Sequence, residues 1–362
     1  MKIKTFLIIS VSLYIIYNLF YRSHEKFNDN QLTYTTDGEL GSDFLKILKE
    51  YNFIETNNGK YFFPSDYNPC EKIIRNKINS SHKYLYLMDG CDIVGSKLDL
   101  WKAIKSEFGN RANKYIPECY LYENEDDMIE LKHRMEYEEQ HNIMQMYILK
   151  NYKQRQEGLK LVSKWDEIID KRNTKEFFIV QEYLYNPFII SKRKINFRVY
   201  YLIVCHNNIV SCYIYNNGFI YYTPKFYDPN TTDFDSHITT GYIDRKVYVD
   251  NPLTREDFRK YLGKKKATLL DDNVKVLMRN ISSAVAKRTC TSYNDKIKFQ
   301  IYGVDIQPDA NLDVKLIEIN KGPDLNSKDE RDGAVKYKMQ QDLFKVINPD
   351  QFGKTDNFIK VY

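Results

Sequence analysis

Between Phe197 and Thr223 the chain reads FRVYYLIVCHNNIVSCYIYNNGFIYYT, the clearest β-strand signal in the sequence. β-Branched and aromatic side chains dominate it, and these fit a pleated, half-buried surface. Two polar breaks, HNN at 206–208 and NNG at 216–218, divide it into three runs and predict an antiparallel meander. At 362 residues the chain has room for two or three packed lobes. Hydrophobic residues at 43% and charged residues at 28% supply a core and exclude wholesale disorder.

Helices and strands alternate on both sides of this run. Upstream, SDFLKILKEYNF (42–53) has helical apolar spacing with Ser42 as N-cap, and KYLYLMDG (83–90) reads as a strand and turn. KLDLWKAIKSEFG (97–109) is an amphipathic helix closed by Gly109, and KYIPECYLY (114–122) is extended because Pro117 bars a helix interior. This alternation suggests a small α/β lobe over residues 41–135. IMQMYILK (143–150) and EFFIVQEYL (176–184) read as buried strands with a helix, SKWDEIIDK (163–171), between them. Downstream, TREDFRKYL (254–262) opens on a Thr254/Asp257 capping pair, NVKVLMRNISSAVAKR (273–288) is a long amphipathic helix, and 346–362 is a tail. The six cysteines (70, 91, 119, 205, 212, 290) have no metal-site spacing and read as reduced thiols, mostly buried.

The start of the chain has a different character. Thr5–Tyr21 is seventeen residues without a charge, flanked by Lys2 and Lys4 before and Arg22, His24 and Lys26 after. That is close to the lower limit for a bilayer span, and no small-residue cleavage site follows. Residues 1–22 are therefore expected to form a single-pass N-terminal membrane anchor, with 23–40 as a polar linker.

The sharpest chemistry lies in KFQIYGVDIQPDANLDVKLIEINKGPDL (298–325), two strands joined by a polar turn. Strand alternation puts Glu318 and Asn320 on one face, with Ile317 and Ile319 on the other. Val304 and Ile306 join the isoleucines, which leaves Asp305 on the polar side, diagonally across from Glu318. Two carboxylates and an amide suit Mg²⁺; a solvated polar face is the plainer alternative. A second cluster precedes the meander. Lys194, Asn196 and Arg198 alternate with Ile195, Phe197 and Val199, and no acid occurs between Glu182 and Asp228. Such a face fits a polyphosphate, or else a basic surface strand. The net charge of +5 (54 basic, 49 acidic) is too small for a dedicated nucleic-acid binder.

Together these segments resemble the tubulin–tyrosine ligase-like family. QEYLYNPFIISKRKINFRVYYLIV (181–204) and FQIYGVDIQPDANLDVKLIEINKGPDL (299–325) resemble its two most specific blocks, and the likeness runs from about 83 to 326. NNGFIYYTPKFY (216–227) and SHITTGYI (236–243) resemble its central segments more weakly. The resemblance implies an α+β ATP-grasp fold over 136–345, two lobes enclosing ATP between antiparallel sheets. It implies an ATP- and Mg²⁺-dependent ligase that joins Glu, Tyr or Gly to a protein carboxylate through an acyl phosphate. The implied acceptor is an acidic protein, such as a tubulin tail. Lys150 would hold the α/β-phosphates, and the main chain of Gln181, Glu182, Tyr183 and Leu184 would meet adenine. Lys194 and Arg198 would be catalytic, His237 would reach the nucleotide, and Asp305, Glu318 and Asn320 would hold Mg²⁺. ATP chemistry and unpatterned cysteines would put the catalytic part in the cytosol.

Four departures stand against the family pattern. Its aspartate is Asn196, its arginine after the meander is Tyr221 with Lys225 as a stand-in, and its asparagine near His237 is Thr240. Its Gly-rich phosphate loop is NYKQRQEG (151–158), where Lys153 and Arg155 could take over through side chains. The alternative to a ligase is thus an inactive ATP-grasp domain, a membrane-tethered adaptor for nucleotide or acidic tails. An anchored glycosyltransferase would want D-x-D, and DGCD (89–92) has the wrong spacing.

Overall fold

The run 197–223 folds as two long strands where three were expected. In the computed structural model, which describes residues 31–362 apart from 68, 144, 154–157 and 294, Asn207 and Asn208 both take positive φ and close a tight hairpin. NNG, by contrast, lies within the second strand. The register slips between Val199 and Tyr201, so 215–217 bulge outward. Asn217 Oδ1 accepts from the N–H groups of Gly218 (2.9 Å) and Glu256 (3.2 Å). A Cβ on Gly218 would lie 2.2 Å from the Arg198 carbonyl oxygen, so only glycine fits there.

The strands are β1 (Thr33–Thr36), β2 (Ile54–Glu55), β3 (Tyr61–Phe63), β4 (Tyr84–Leu85), β5 (Cys119–Leu121), β6 (Tyr147–Lys150) and β7 (Leu159–Val162). They continue as β8 (Ile179–Glu182), β9 (Ile189–Ile190), β10 (Arg193–His206), β11 (Ile209–Tyr222), β12 (Ile297–Pro308), β13 (Val314–Asn320) and β14 (Phe358–Lys360). A ten-stranded sheet runs β14-β11-β10-β12-β4-β3-β1-β2, with β13 on β12 and β9 on β10. A four-stranded sheet runs β5-β8-β6-β7.

Three expectations change. Part of the expected linker, Thr33–Thr36, is a strand paired with β2 and β3. The strands of 41–135 are divided between the sheets, since β4 pairs with β12 and β5 with β8. The tail contributes β14, which pairs with β11 and closes the large sheet's edge. The expected anchor, Thr5–Tyr21, lies outside the described residues. Among the described residues no helix is long and apolar enough to cross a membrane.

Each sheet has its own core. Helices Lys264–Ala286 and Glu330–Ile347 bury apolar faces in the same cluster as the large sheet. Met128 and Leu131 of helix Glu125–Gln140 and Ile168 of helix Trp165–Thr174 pack with Tyr147, Leu149, Val162 and Val180 of the small one. The Thr254/Asp257 capping box forms as expected. Ser42 is the first helical residue, and Gly41 takes the cap position. Cys205 and Cys290 form a disulfide (Cα–Cα 5.8 Å) rather than remaining reduced; Cys91, Cys119 and Cys212 are buried free thiols.

Candidate functional site

A cavity of about 770 Å³ opens between the two sheets. The small sheet presents Lys150 from β6 and Gln181 and Glu182 from β8, followed by Tyr183 and Leu184. The large sheet presents Lys194, Asn196 and Arg198 from β10, Asp305 from β12, and Glu318 and Asn320 from β13. His237 also lines it. All the site residues named from sequence thus meet in one cavity, although they span 150 to 320. Along β10 the alternation is as expected, with Ile195, Phe197 and Val199 in the core.

The carboxylate hairpin differs in register. Asp305 lies directly opposite Glu318, not diagonally, because a bulge between Asp305 and Ile306 brings Ile306 opposite Leu316. The extra residue is Ile317, which lines the cavity where a core position was expected. The Arg198 guanidinium grips both oxygens of Asp305, Nε to Oδ1 at 2.7 Å and Nη2 to Oδ2 at 3.0 Å. Burial opposes the Arg198 cation, but Asp305 and Tyr221 outweigh it and hold its pKa well above the ordinary value. Burial raises Asp305 to about 6 against the pull of Arg198, and the adjoining Glu318 adds to the rise. Burial also opposes charge on Glu318, yet Lys97 and Lys150 prevail and lower its pKa.

The lysines sit in two environments. Lys150 is buried, which lowers its pKa, while Glu318 pulls it back up. Lys194 is equally buried and is pushed down to about 7. Its ammonium lies 4.2 Å from the Tyr183 ring centroid and donates to Tyr183 Oη at 3.1 Å. Tyr183 Oη is 2.9 Å from His237 Nδ1, and His237 Nε2 is 2.6 Å from the Thr231 carbonyl oxygen. A carbonyl only accepts, so Nε2 carries the proton and Nδ1 accepts from Tyr183. Both His237 nitrogens are therefore engaged, and the histidine orients Tyr183 beneath Lys194. The N–H groups of Glu182 and Tyr183 donate to the carbonyls of Glu118 and Met146, so contacts by that run fall to its other groups.

The oxygen set fits a hard divalent cation. Asp305 and Glu318 abut, and two carboxylates in contact call for positive charge. Asn320 donates through Nδ2 to Glu318 Oε1 at 2.9 Å, a bond that does not use its amide oxygen. Asn196 Oδ1 is buried at the same cavity and has no hydrogen-bond partner among the described residues. No group of three or more His, Cys, Asp or Glu able to hold a metal occurs among the described residues, so the protein's share of such a site is two carboxylates and amides. Mg²⁺ accepts such partial coordination, completing its shell with water and phosphate oxygens.

Against known proteins, the model of the tubulin-tyrosine ligase family matches residues 79–356, more than half of the chain. The chain belongs to the tubulin-tyrosine ligase family. It is 27% identical over 184 residues to a probable tubulin polyglutamylase of Mus musculus, covering 48% of this chain and 39% of that protein. A tubulin monoglutamylase of the same species is 22% identical over 290 residues, 73% of this chain and 23% of the relative. A protein polyglycylase of Macaca fascicularis is 26% identical over 163 residues, 41% of this chain and 26% of the relative. The chain thus spans about two fifths of the length of the mouse polyglutamylase it matches.

Within the family pattern, the proposed stand-in Lys225 is overturned. It is exposed, pairs with Asp233 (3.1 Å) and Asp235 (3.8 Å), and does not line the cavity. Tyr221 does line it, with its ring 5.3 Å from the Arg198 guanidinium carbon. Thr240 lines it too, its Oγ1 accepting from the Tyr242 N–H at 3.1 Å. Lys153 reaches the cavity, whereas Arg155 lies outside the described residues. Two lining cations were given no role from the sequence. Lys97 opens helix Lys97–Phe108 and donates to the Lys153 carbonyl at 3.1 Å. Lys328 follows β13 in a polar run, SKDERDG, that reads as solvated surface.

Proposed function

We propose that the chain is an ATP-grasp ligase, joining an amino acid to a carboxylate on an acidic protein at the expense of ATP. One observation carries this reading: cations from both sheets converge on the abutting Asp305 and Glu318 in a single cavity. ATP lies between the sheets in this reading. Lys150 and Lys194 hold its phosphates, and buried cations there bind polyphosphate more strongly than exposed ones would. Asp305, Glu318 and Asn320 hold Mg²⁺, with Asn196 Oδ1 a further oxygen; the ion supplies charge neutralisation to the phosphates. Arg198, fixed by Asp305, faces the negative charge that builds as the γ-phosphoryl group passes to the acceptor carboxylate. The amine of the amino acid then attacks the activated carbonyl, an amide forms, and ADP, phosphate and a proton leave.

Glutamate is the first donor to test, because the relatives named above include tubulin glutamylases. Tubulin tails are the matching acceptors, their acidity suiting a basic cavity. A tether at Thr5–Tyr21 holding this domain at a membrane completes the reading; the Cys205–Cys290 disulfide removes the cysteine argument for the cytosolic side, which rests on the ATP requirement alone.

The test is amino-acid-dependent ADP release by the full chain with Mg-ATP and an acidic acceptor peptide, with Glu318→Gln as control. The expected outcome is turnover with one amino acid, reduced at least about a hundredfold in the control. ATP binding with no turnover across all twenty amino acids would favour the adaptor reading.

A further inference from the structure

Ligation consumes the amine of the incoming amino acid and leaves its own carboxylate free, an anion that a closed cavity must match with a cation. Most cations near the reacting centre already have a part in the ligase reading. Arg198 is held by Asp305, Lys150 and Lys194 are given to the phosphates, and Lys97 stands in the field of Glu318.

Lys328 is differently placed. Its Nζ donates to the Gly241 carbonyl at 3.0 Å and stands 4.1 Å from the Tyr242 ring centroid. The charged groups around it are already matched: Arg245 with Asp329, and Lys336 with Asp332 at 2.8 Å. Asp324 also faces it, but no carboxylate of the described residues lies within 4 Å of its ammonium. The ammonium therefore sits in the cavity wall with donors to spare.

Its position links it to the reacting centre. Arg198 lies over the Tyr221 ring, and the far edge of that ring rests on Gly241, where a Cβ would come within 2.8 Å of it. Gly241 in turn holds Lys328 through its carbonyl. Arg198 and Lys328 are thus linked through the Tyr221 ring and Gly241, and both line the same cavity.

We infer that Lys328 binds the free carboxylate of the amino-acid co-substrate. This deepens the ligase reading and rests on it. A protein acceptor's acidic side chain shares the carboxylate chemistry, and titration of the acceptor peptide alongside the amino acids separates the two.

The experiment is calorimetric titration of L-glutamate, glycine and L-tyrosine, then the remaining amino acids, onto the full chain saturated with Mg-ADP. It compares wild type, Lys328→Gln and Lys328→Arg. The amino acid that binds wild type should weaken about ten- to a hundredfold in K328Q, the loss expected for one charged hydrogen bond, and recover in K328R. Mg-ADP affinity should stay unchanged in both, which also reports that they fold. An unchanged amino-acid constant in K328Q overturns the inference and leaves the ligase reading standing. So does a selective loss of acceptor-peptide affinity in K328Q, which would assign the lysine to the acceptor. Wild type that binds Mg-ADP but none of the twenty amino acids overturns both.

Discussion

On the large-sheet side of the cavity, β10, β11 and β12 run for 14, 14 and 12 residues, whereas β6, β7 and β8 on the other side have 4 each. The long wall holds its functional groups in place through ion pairs: Asp305 is pinned by Arg198, and β10 is hydrogen-bonded on both edges. The short wall contributes Lys150, which has no carboxylate within 4 Å among the described residues. Geometry is stored on one side, and an uncommitted charge is offered from the other.

Breaking the long wall should have the largest effect. Arg198→Leu leaves Asp305 buried and unpaired, which costs about 3–5 kcal/mol when one partner of a buried pair is removed. Adding Asp305→Leu should restore most of that stability. Lys150→Leu strands no such partner, so its urea midpoint should stay near or above wild type while ATP affinity falls. Equal destabilisation by R198L and K150L would erase the contrast between the walls.

A smaller effect concerns Lys194, on the long wall but without a counter-charge among the described residues. Its folded pKa of about 7 lies below the ordinary 10.5. Between those values the unfolded chain binds the proton and the folded one does not, so stability rises with pH across that window. Below about pH 7 both states are protonated and the slope vanishes. The expected slope is on the order of 1 kcal/mol per pH unit, absent in Lys194→Met, read from urea unfolding at pH 7.5, 8.5 and 9.5. A wild-type slope that survives in K194M would show that other groups set it.

The contrast also explains what the sequence disclosed. The β10 face was legible because strand alternation is strict: Lys194, Asn196 and Arg198 could only share a side. The 305/318 pair was legible as a pair, but not in register, because the bulge has no distinctive residue and turns Ile317 into the cavity. NNG misled for a related reason: Asn-Gly usually marks a hairpin turn, and here Asn217 stays in the strand and accepts from the N–H of Glu256, 39 residues away. Lys328 was hidden because its setting is entirely tertiary. Nothing in SKDERDG announces that its neighbours would be neutralised by Lys336 and Arg245. Helix Glu125–Gln140 was missed because its polar residues far outnumber its buried ones, Met128, Leu131 and Glu138.

The finest test of the two walls is their opening. The small sheet's strands are short, β7 is an edge, and its core of Tyr147, Leu149, Val162 and their neighbours is separate from the main one. Amides of β6 and β7 should therefore exchange with deuterium through local opening, while those of β10 and β12 exchange only with global unfolding. In the proposed reading Mg-ATP would touch both walls and stabilise the closed arrangement, so it should slow exchange in β6 and β7 severalfold more than in β10. Exchange mass spectrometry with peptides covering 147–162 and 193–206 reads both. Matching protection in the two, with and without nucleotide, would mean that the sheets open together despite their separate cores. The cavity would then be a rigid cleft, and the uncommitted charge of Lys150 would have to be explained by the ligand alone rather than by a wall that moves.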